Sequence, residues 1–275
     1  MSAGNLASSR LELNLEYLGL VRSQAVLDGV LEEAAREDIS YVEFLDRLLE
    51  QEAAAQRERR SEGRIRYARF PYSKTIDQFD FEFQPSIDRK RIKELLTLRF
   101  IANGENVILL GPPGVGKTHL AIALGMTACQ QGQCVTFVAA EELVTSLREG
   151  FEAHRLPEKM RYYQKPSLLI IDELGYLPLD RMGANLIFQL IAKRYERGAI
   201  IITSNRSYGE WGEVFTDNVI AAAILDRLLH HSATINIKGE SYRLREKRKA
   251  GLLNRTTEGC IVNGQETGEI SIGEK

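Results

Sequence analysis

The hydrophobic positions divide the chain into two regimes. In the first third they fall at helical spacing: Leu27, Val30, Leu31 and Ala34 recur at i, i+3, i+4 and i+7 on one face. A second helix begins at Ser40, which with Glu43 makes a capping box, and carries the stripe Phe44, Leu45, Leu48 and Leu49. Pro71 and the aromatic-rich residues 79–85 break this pattern and read as an extended connection. From Ile87 onward an amphipathic helix with Ile92, Leu95, Leu96 and Phe100 leads into short, nearly continuous apolar runs at 106–110, 134–138, 168–171, 199–203 and 234–237. Helical stretches at 118–130, 141–148, 184–197 and 218–230 separate most of them. That alternation predicts an α/β fold: a parallel sheet sandwiched by helices, preceded by a small helical N-terminal domain. No internal repeat is evident. Past Lys249 the chain turns polar, so residues 251–275 read as a disordered tail.

The 275 residues suffice for one well-cored α/β domain plus a smaller appendage, placed at 71–250 and 1–70. A net charge of -2 is neutral about nucleic acid, so any basic surface must be local. One such patch lies between residues 57 and 74: Arg57, Arg59, Arg60, Arg64, Arg66, Arg69 and Lys74 face only Glu58 and Glu62, with Tyr67, Phe70 and Tyr72 interleaved. It reads either as a DNA-backbone contact, with aromatics adding to counterion release, or as a solvated, mostly helical linker. Cys129, Cys134 and Cys260 show neither metal nor disulfide spacing, which fits a reducing cytoplasm. No segment approaches the roughly 18 apolar residues a membrane span needs, so no membrane partner is expected.

The strongest chemical signal follows the apolar run 106–110. Gly111-Pro112-Pro113-Gly114-Val115-Gly116-Lys117-Thr118 is a complete G-x-x-x-x-G-K-[ST] between a strand and a helix, with His119 adjoining. Its glycines let successive amides, with the helix N-terminus, cradle phosphate oxygens. Lys117 would reach the β- and γ-phosphates, and Thr118 would offer a hydroxyl to Mg²⁺. A chance Gly-rich turn is the alternative, and a second half downstream weighs against it. The run 168–171 ends in Asp172 and Glu173: the first would orient the magnesium, the second polarise the attacking water, which favours hydrolysis of ATP over transfer to a small acceptor. After 199–203 come Ser204 and Asn205, the latter either a polar contact to the γ-phosphate or lytic water, or the cap of a turn.

These residues carry a resemblance. GPPGVGKTHLAIALG, LLIIDELGYLP, ITSNRSYGEWGEVF, ILDRLLHH and INIKGESYR stand in the order found in the IstB-like transposition helper ATPases, AAA+ proteins related to the DnaC helicase loaders and DnaA, and the likeness runs from about Tyr17 to Arg245. It implies that Lys117 and Thr118 are Walker A, Asp172 and Glu173 Walker B, and Asn205 sensor 1. Arg227 would match an arginine finger acting on a neighbouring subunit, which implies a homo-oligomer through AAA+ interfaces; a structural ion pair is the other reading. Little chain remains after 234–237 for a helical lid, so either Arg243 or Arg245 could serve as sensor 2, or both could belong to a basic terminal helix. His119, His230 and His231 read as packing or surface residues, without a carboxylate or cysteine at ligand spacing. The resemblance further implies largely sequence-nonspecific DNA binding and a partner transposase, with ATP assembling the protein on target DNA and hydrolysis resetting it. A helicase loader of the DnaC type is the alternative. A small-molecule kinase is disfavoured by the Asp172-Glu173 pair and Asn205.

Overall fold

The computed structural model describes residues 3–249; the tail expected at 251–275, and Cys260 within it, lie outside the described residues. Three helices open the chain: α1 (Ala3–Tyr17), α2 (Val21–Glu37) and α3 (Tyr41–Ala68). Ser40 caps α3 by accepting the Glu43 amide at 3.2 Å. Of the two sequence stripes only Leu27 and Leu48 are buried, closing with Leu15 a small core ringed by Leu20, Val26 and Phe44. Leu31, Leu45 and Leu49 stay exposed, because three helices enclose too little volume to cover a full stripe on each. Polar ties reinforce this core: Ser23 Oγ donates to the Leu48 carbonyl at 3.0 Å, and the buried Glu52 carboxylate accepts the Arg22 amide at 2.8 Å.

Helix α3 does not stop where its apolar stripe ends. It runs on through the basic residues to Ala68, which is buried against the α/β core, and ends at Arg69 in the left-handed region (φ 61°). The basic patch is therefore mostly helix. Residues 70–88 follow with a single 3₁₀ turn at Ile76–Gln78, then α4 (Arg89–Leu96), capped by Asp88, and α5 (Arg99–Ala102).

The sheet consists of β1 (Asn106–Leu110), β2 (Val135–Ala139), β3 (Leu168–Asp172), β4 (Ala199–Ser204) and β5 (Ser232–Asn236), all parallel, in the order β2-β3-β4-β1-β5. Alternate side chains face opposite layers. Val107, Leu109, Val135, Phe137, Leu168, Ile170 and Ile201 pack under α3, α4, α5 and α6 (Lys117–Gln130). Ile108, Val138, Leu169, Ile171, Ile200 and Ile202 pack under α7 (Ala140–Glu152), α8 (Leu156–Gln164), α9 (Arg181–Arg194), α10 (Trp211–Val214) and α11 (Asn218–Leu229). Both faces are covered, which is why the strands read as unbroken apolar runs rather than alternating ones. Helix α8 adds to the expected set, and α9 starts at Arg181 because Asp180 accepts the Gly183 amide at 3.0 Å. Beyond β5 the described chain holds one short helix, α12 (Tyr242–Lys249).

Candidate nucleotide site

In the sheet, β1 sits between β4 and β5, although the next strand in sequence, β2, lies at the far edge. The order reverses there, and in open parallel sheets ligands bind in the crevice beyond the strands' carboxyl ends at such a point. The register brings those ends level: Leu110 pairs with Ser204 on one side and Asn236 on the other. The loop 111–116 leaves β1 at this edge and feeds α6. Gly111, Gly114 and Gly116 have φ of 148°, 81° and 102°. A Cβ on Gly111 would stand 2.3 Å from the Ile237 carbonyl oxygen, on Gly114 2.1 Å from Ser241 Oγ, and on Gly116 2.6 Å from the Phe79 ring. The glycines are thus required both for the curl and for the close approach of 237–241 and Phe79 around the cradle. Val115 is fully buried and anchors the loop, whereas Pro112 and Pro113 are exposed.

The charged residues converge as their spacing suggested. Lys117 Nζ donates to the Gly111 and Pro112 carbonyls at 2.6 and 2.8 Å, so the ammonium lies within its own loop. Burial lowers its pKa, the Asp172 and Glu173 carboxylates pull it back up, and Arg243 adds to the lowering. Thr118 Oγ1 donates to Asp172 Oδ1 at 2.9 Å. Neighbouring strand residues ordinarily point to opposite faces, but Glu173 adopts φ 60°, a left-handed conformation that re-aims it beside a buried Asp172 while its own side chain stays exposed. One hydroxyl, absent from the sequence reading, fixes this corner: Thr203 Oγ1 donates to Asp172 Oδ1 at 2.5 Å and accepts the Glu173 amide at 2.9 Å. Thr203 is fully buried at the end of β4, and only its place in an otherwise aliphatic run could have flagged it. Asn205, half-buried, follows directly beyond the β4 end. The next turn is held by Ser204 Oγ accepting the Arg206 amide at 3.1 Å.

Both flanks of the α/β core close over the cradle. The Tyr242 amide donates to the Gly114 carbonyl at 3.0 Å, and Gln84 and Ser86 bind the 238–240 backbone. Arg243 and Arg245 part company here. The Arg243 guanidinium lies beside the Tyr72 hydroxyl, whose pKa is raised by burial and the Asp172 charge and lowered by Arg243. Arg245 turns away, 3.5 Å from Asp80 and stacked 4.5 Å over Phe83. Tyr72 and Arg243 thus join the site. His119 faces the connection instead of the phosphate loop, its Nε2 2.8 Å from the Thr75 carbonyl and its ring edge-on to Phe79.

Arg227 donates to the Ala223 carbonyl within α11 at 2.9 Å and lies 4.9 Å over the Phe188 ring; among the described residues it makes no ion pair. In the basic patch, Arg57 and Arg59 pair with Glu50 and Glu52 at 3.3 and 3.1 Å. Arg60 and Arg66 are exposed, Arg64 is half-buried near Cys129, and Arg69 sits 5.9 Å over Tyr162. Half-buried Lys74 lies beside His119. A groove of about 540 Å³ between α7 and residues 173–180 is lined in part by Glu173 and by no phosphate-loop residue.

Fold and site together define a P-loop nucleotide-binding protein of AAA+ architecture. Residues 13–250 match the family model described as IstB-like ATP binding protein. An ATP-binding protein of insertion sequence IS21 from Pseudomonas aeruginosa is 50% identical over 90% of this chain and 93% of its own. One from IS5376 of Geobacillus stearothermophilus is 55% identical over 80% and 88%. Two solved structures share the fold: a DNA replication initiation factor (TM-score 0.52, 20% identity, 64% of this chain and 53% of that one) and DnaI (0.51, 24%, 60% and 91%). The chain belongs to the IstB-like ATP-binding family of insertion sequences, which supports ATP as its nucleotide. No helix among the described residues is long and apolar enough to cross a membrane.

Proposed function

We propose that this protein hydrolyses ATP at an interface between its own subunits, assembles on DNA with little sequence preference, and recruits or stimulates a partner transposase. The observation that carries hydrolysis is the corner at the β3 end: the exposed Glu173 carboxylate stands beside Asp172 and Lys117, its backbone fixed by Thr203. In this reading Glu173 polarises a water and Asn205, just beyond the β4 end, orients it. Thr118 and Asp172, hard oxygen donors already in contact, fit Mg²⁺, which would neutralise charge developing on the phosphates. Arg227, free of a carboxylate partner among the described residues, is available to a neighbouring subunit's γ-phosphate. The helical basic patch supports DNA binding: α3 spreads residues 57–68 over about 16 Å at the helical rise. Binding through exposed Arg60 and Arg66 to the phosphate backbone is sequence-independent and falls with salt. The insertion-sequence relatives support the transposase as partner.

The test is steady-state ATP turnover with and without duplex DNA, in wild type, Glu173→Gln and Arg227→Ala. Glu173→Gln should retain ATP and remain on DNA as an oligomer. Arg227→Ala should bind ATP normally yet lose DNA-stimulated turnover. Normal turnover by Glu173→Gln would remove the assigned water activator. An Arg227→Ala protein as active as wild type, together with no response to DNA, would remove the interface and the DNA claims.

A further inference from the structure

At the edge of the sheet opposite the cradle, two chain corners meet. One follows α9, where Tyr195 and Glu196 turn the chain back into β4; the other ends α11 at His230 and His231 before β5. We propose that Glu196, His230 and His231 form a binding site for a divalent metal of the Zn²⁺ class. One carboxylate oxygen and one ring nitrogen from each histidine lie within 4.8 Å of one another, and all three residues are exposed. Glu196 Oε1 is 3.8 Å from His231 Nε2, and the two imidazole centroids are 4.2 Å apart. The Tyr195 hydroxyl, 2.8 Å from His230 Nδ1, adds a fourth polar atom that would hold a liganding ring or carboxylate in place. Zinc bonds of about 2.0–2.1 Å put tetrahedral ligands about 3.3 Å apart, so closure needs only rotamer shifts of exposed side chains. Two imidazoles with one carboxylate favour Zn²⁺ over the hard Mg²⁺ of the nucleotide site, and leave room for a water ligand.

The backbone that carries these ligands is pinned by buried polar side chains on both corners. Arg194, 2% exposed, donates to the carbonyls of Tyr163, Gln164, Pro166, Ser167 and Ala199 at 2.8–3.4 Å, locking the turn that bears Glu196. Buried Asn106 donates its amide to the Leu228 carbonyl at 3.1 Å and accepts the Ile200 amide at 3.1 Å, while its backbone binds the His231 carbonyl at 2.8 Å. A site whose first shell is free to close and whose supports are fixed is preorganised for a small ion. Arg227 lies one turn before His230 on the same helix, so a bound ion would tether the end of the element that presents it.

The experiment uses the tag-free full chain without nucleotide, carrying Cys134→Ser and Cys260→Ser to exclude thiol binding. Zn²⁺ is titrated against a chromophoric chelator, with the thermal midpoint followed in Zn²⁺ and in Mg²⁺. The expected result is one Zn²⁺ per chain, a midpoint raised by Zn²⁺ only, and affinity reduced at least about tenfold by His230→Ala, His231→Ala or Glu196→Gln, with Tyr195→Phe falling by about 10-fold as a supporting group. No Zn²⁺ bound by the parent, or equal binding by a His230→Ala/His231→Ala double variant, would overturn the proposal. Circular dichroism and ATP binding of the variants show that the fold is retained in either case.

Discussion

Replacing Thr203 with valine isolates the contribution of one hydroxyl. The two side chains have nearly the same shape, so the change leaves the packing of β4 between β1 and β3 largely intact and removes only Oγ1. That atom makes two buried contacts, to the Asp172 carboxylate at 2.5 Å and from the Glu173 amide at 2.9 Å. A hydrogen bond to a charged group contributes about 1.5–3 kcal/mol, and a buried amide left without a partner costs about 1–3 kcal/mol. Because the two share an atom they are not additive, and about 3 kcal/mol is expected in all. For a chain of this size that lowers the melting midpoint by about 6–12 °C. The functional loss should be larger. Glu173 occupies a left-handed conformation costing about 1–3 kcal/mol, and Thr203 is the side chain that binds its amide. Released, Glu173 relaxes, so turnover falls while ATP affinity, set mainly by the glycine loop and Lys117, changes little. Thr203→Ser restores the hydroxyl and should recover most of the turnover. Differential scanning calorimetry and a phosphate-release assay measure both effects. A valine variant melting within about 2 °C of wild type with unchanged turnover would refute this account of the corner.

Gly111→Ala should abolish ATP binding in a nucleotide-fluorescence titration and destabilise the fold by more than about 1 kcal/mol, because its Cβ meets the Ile237 carbonyl at 2.3 Å and its φ of 148° disfavours a side chain. Arg243→Ala should weaken ATP binding or turnover, whereas Arg245→Ala, whose partners are Asp80 and Phe83, should leave both near wild type; reversed phenotypes would return the two arginines to their open status. The Ser207 hydroxyl and amide, with Arg206, hold Glu210 at about 2, below its ordinary 4.5. A depressed carboxylate stabilises the fold above its unfolded value and loses that contribution as pH falls from about 4.5 towards 2. Glu210→Gln should therefore be less stable than wild type at pH 7, where the contribution is present, and the two stability curves should converge as pH falls from about 4.5 towards 2.

Local features were the legible ones. Strand β1, the glycine loop and α6 lie within 25 consecutive residues, and the physics of the cradle, a curled backbone feeding a helix N-terminus, is itself local. The β3 carboxylates were legible for the same reason. Helix α8 was missed because Pro157 sits in its first turn and its buried face is only Met160 and Tyr163, too short for a periodic signal. The basic patch was read as either a DNA contact or a helical linker, and a charged, apolar-poor run carries nothing to show that α3 continues through it until Ala68 finds the core. Long-range pairings were out of reach: Thr203 acts on residues 31 and 30 positions earlier, and Glu196 meets histidines more than 30 residues later. Spacing along the chain could not bring Glu196 to His230, because the turn after α9 supplies it through space.

The same distinction applies to the walls of the candidate nucleotide site. Two extended segments far apart in sequence meet there: Gln84 and Ser86 from the connection before α4 bind the backbone of 238–240, and that stretch lays Ser241 and Tyr242 on Gly114. Neither segment encloses the cradle alone. Their contacts are chiefly hydrogen bonds to exposed backbone, which open more readily than packed helices. The segment preceding the α/β core, entered from α3, is thereby tied to the segment carrying Arg243. The connection that follows α3 therefore touches the phosphate loop through Phe79, at Gly116, and the segment beside it through Gln84, which donates to the Glu240 carbonyl.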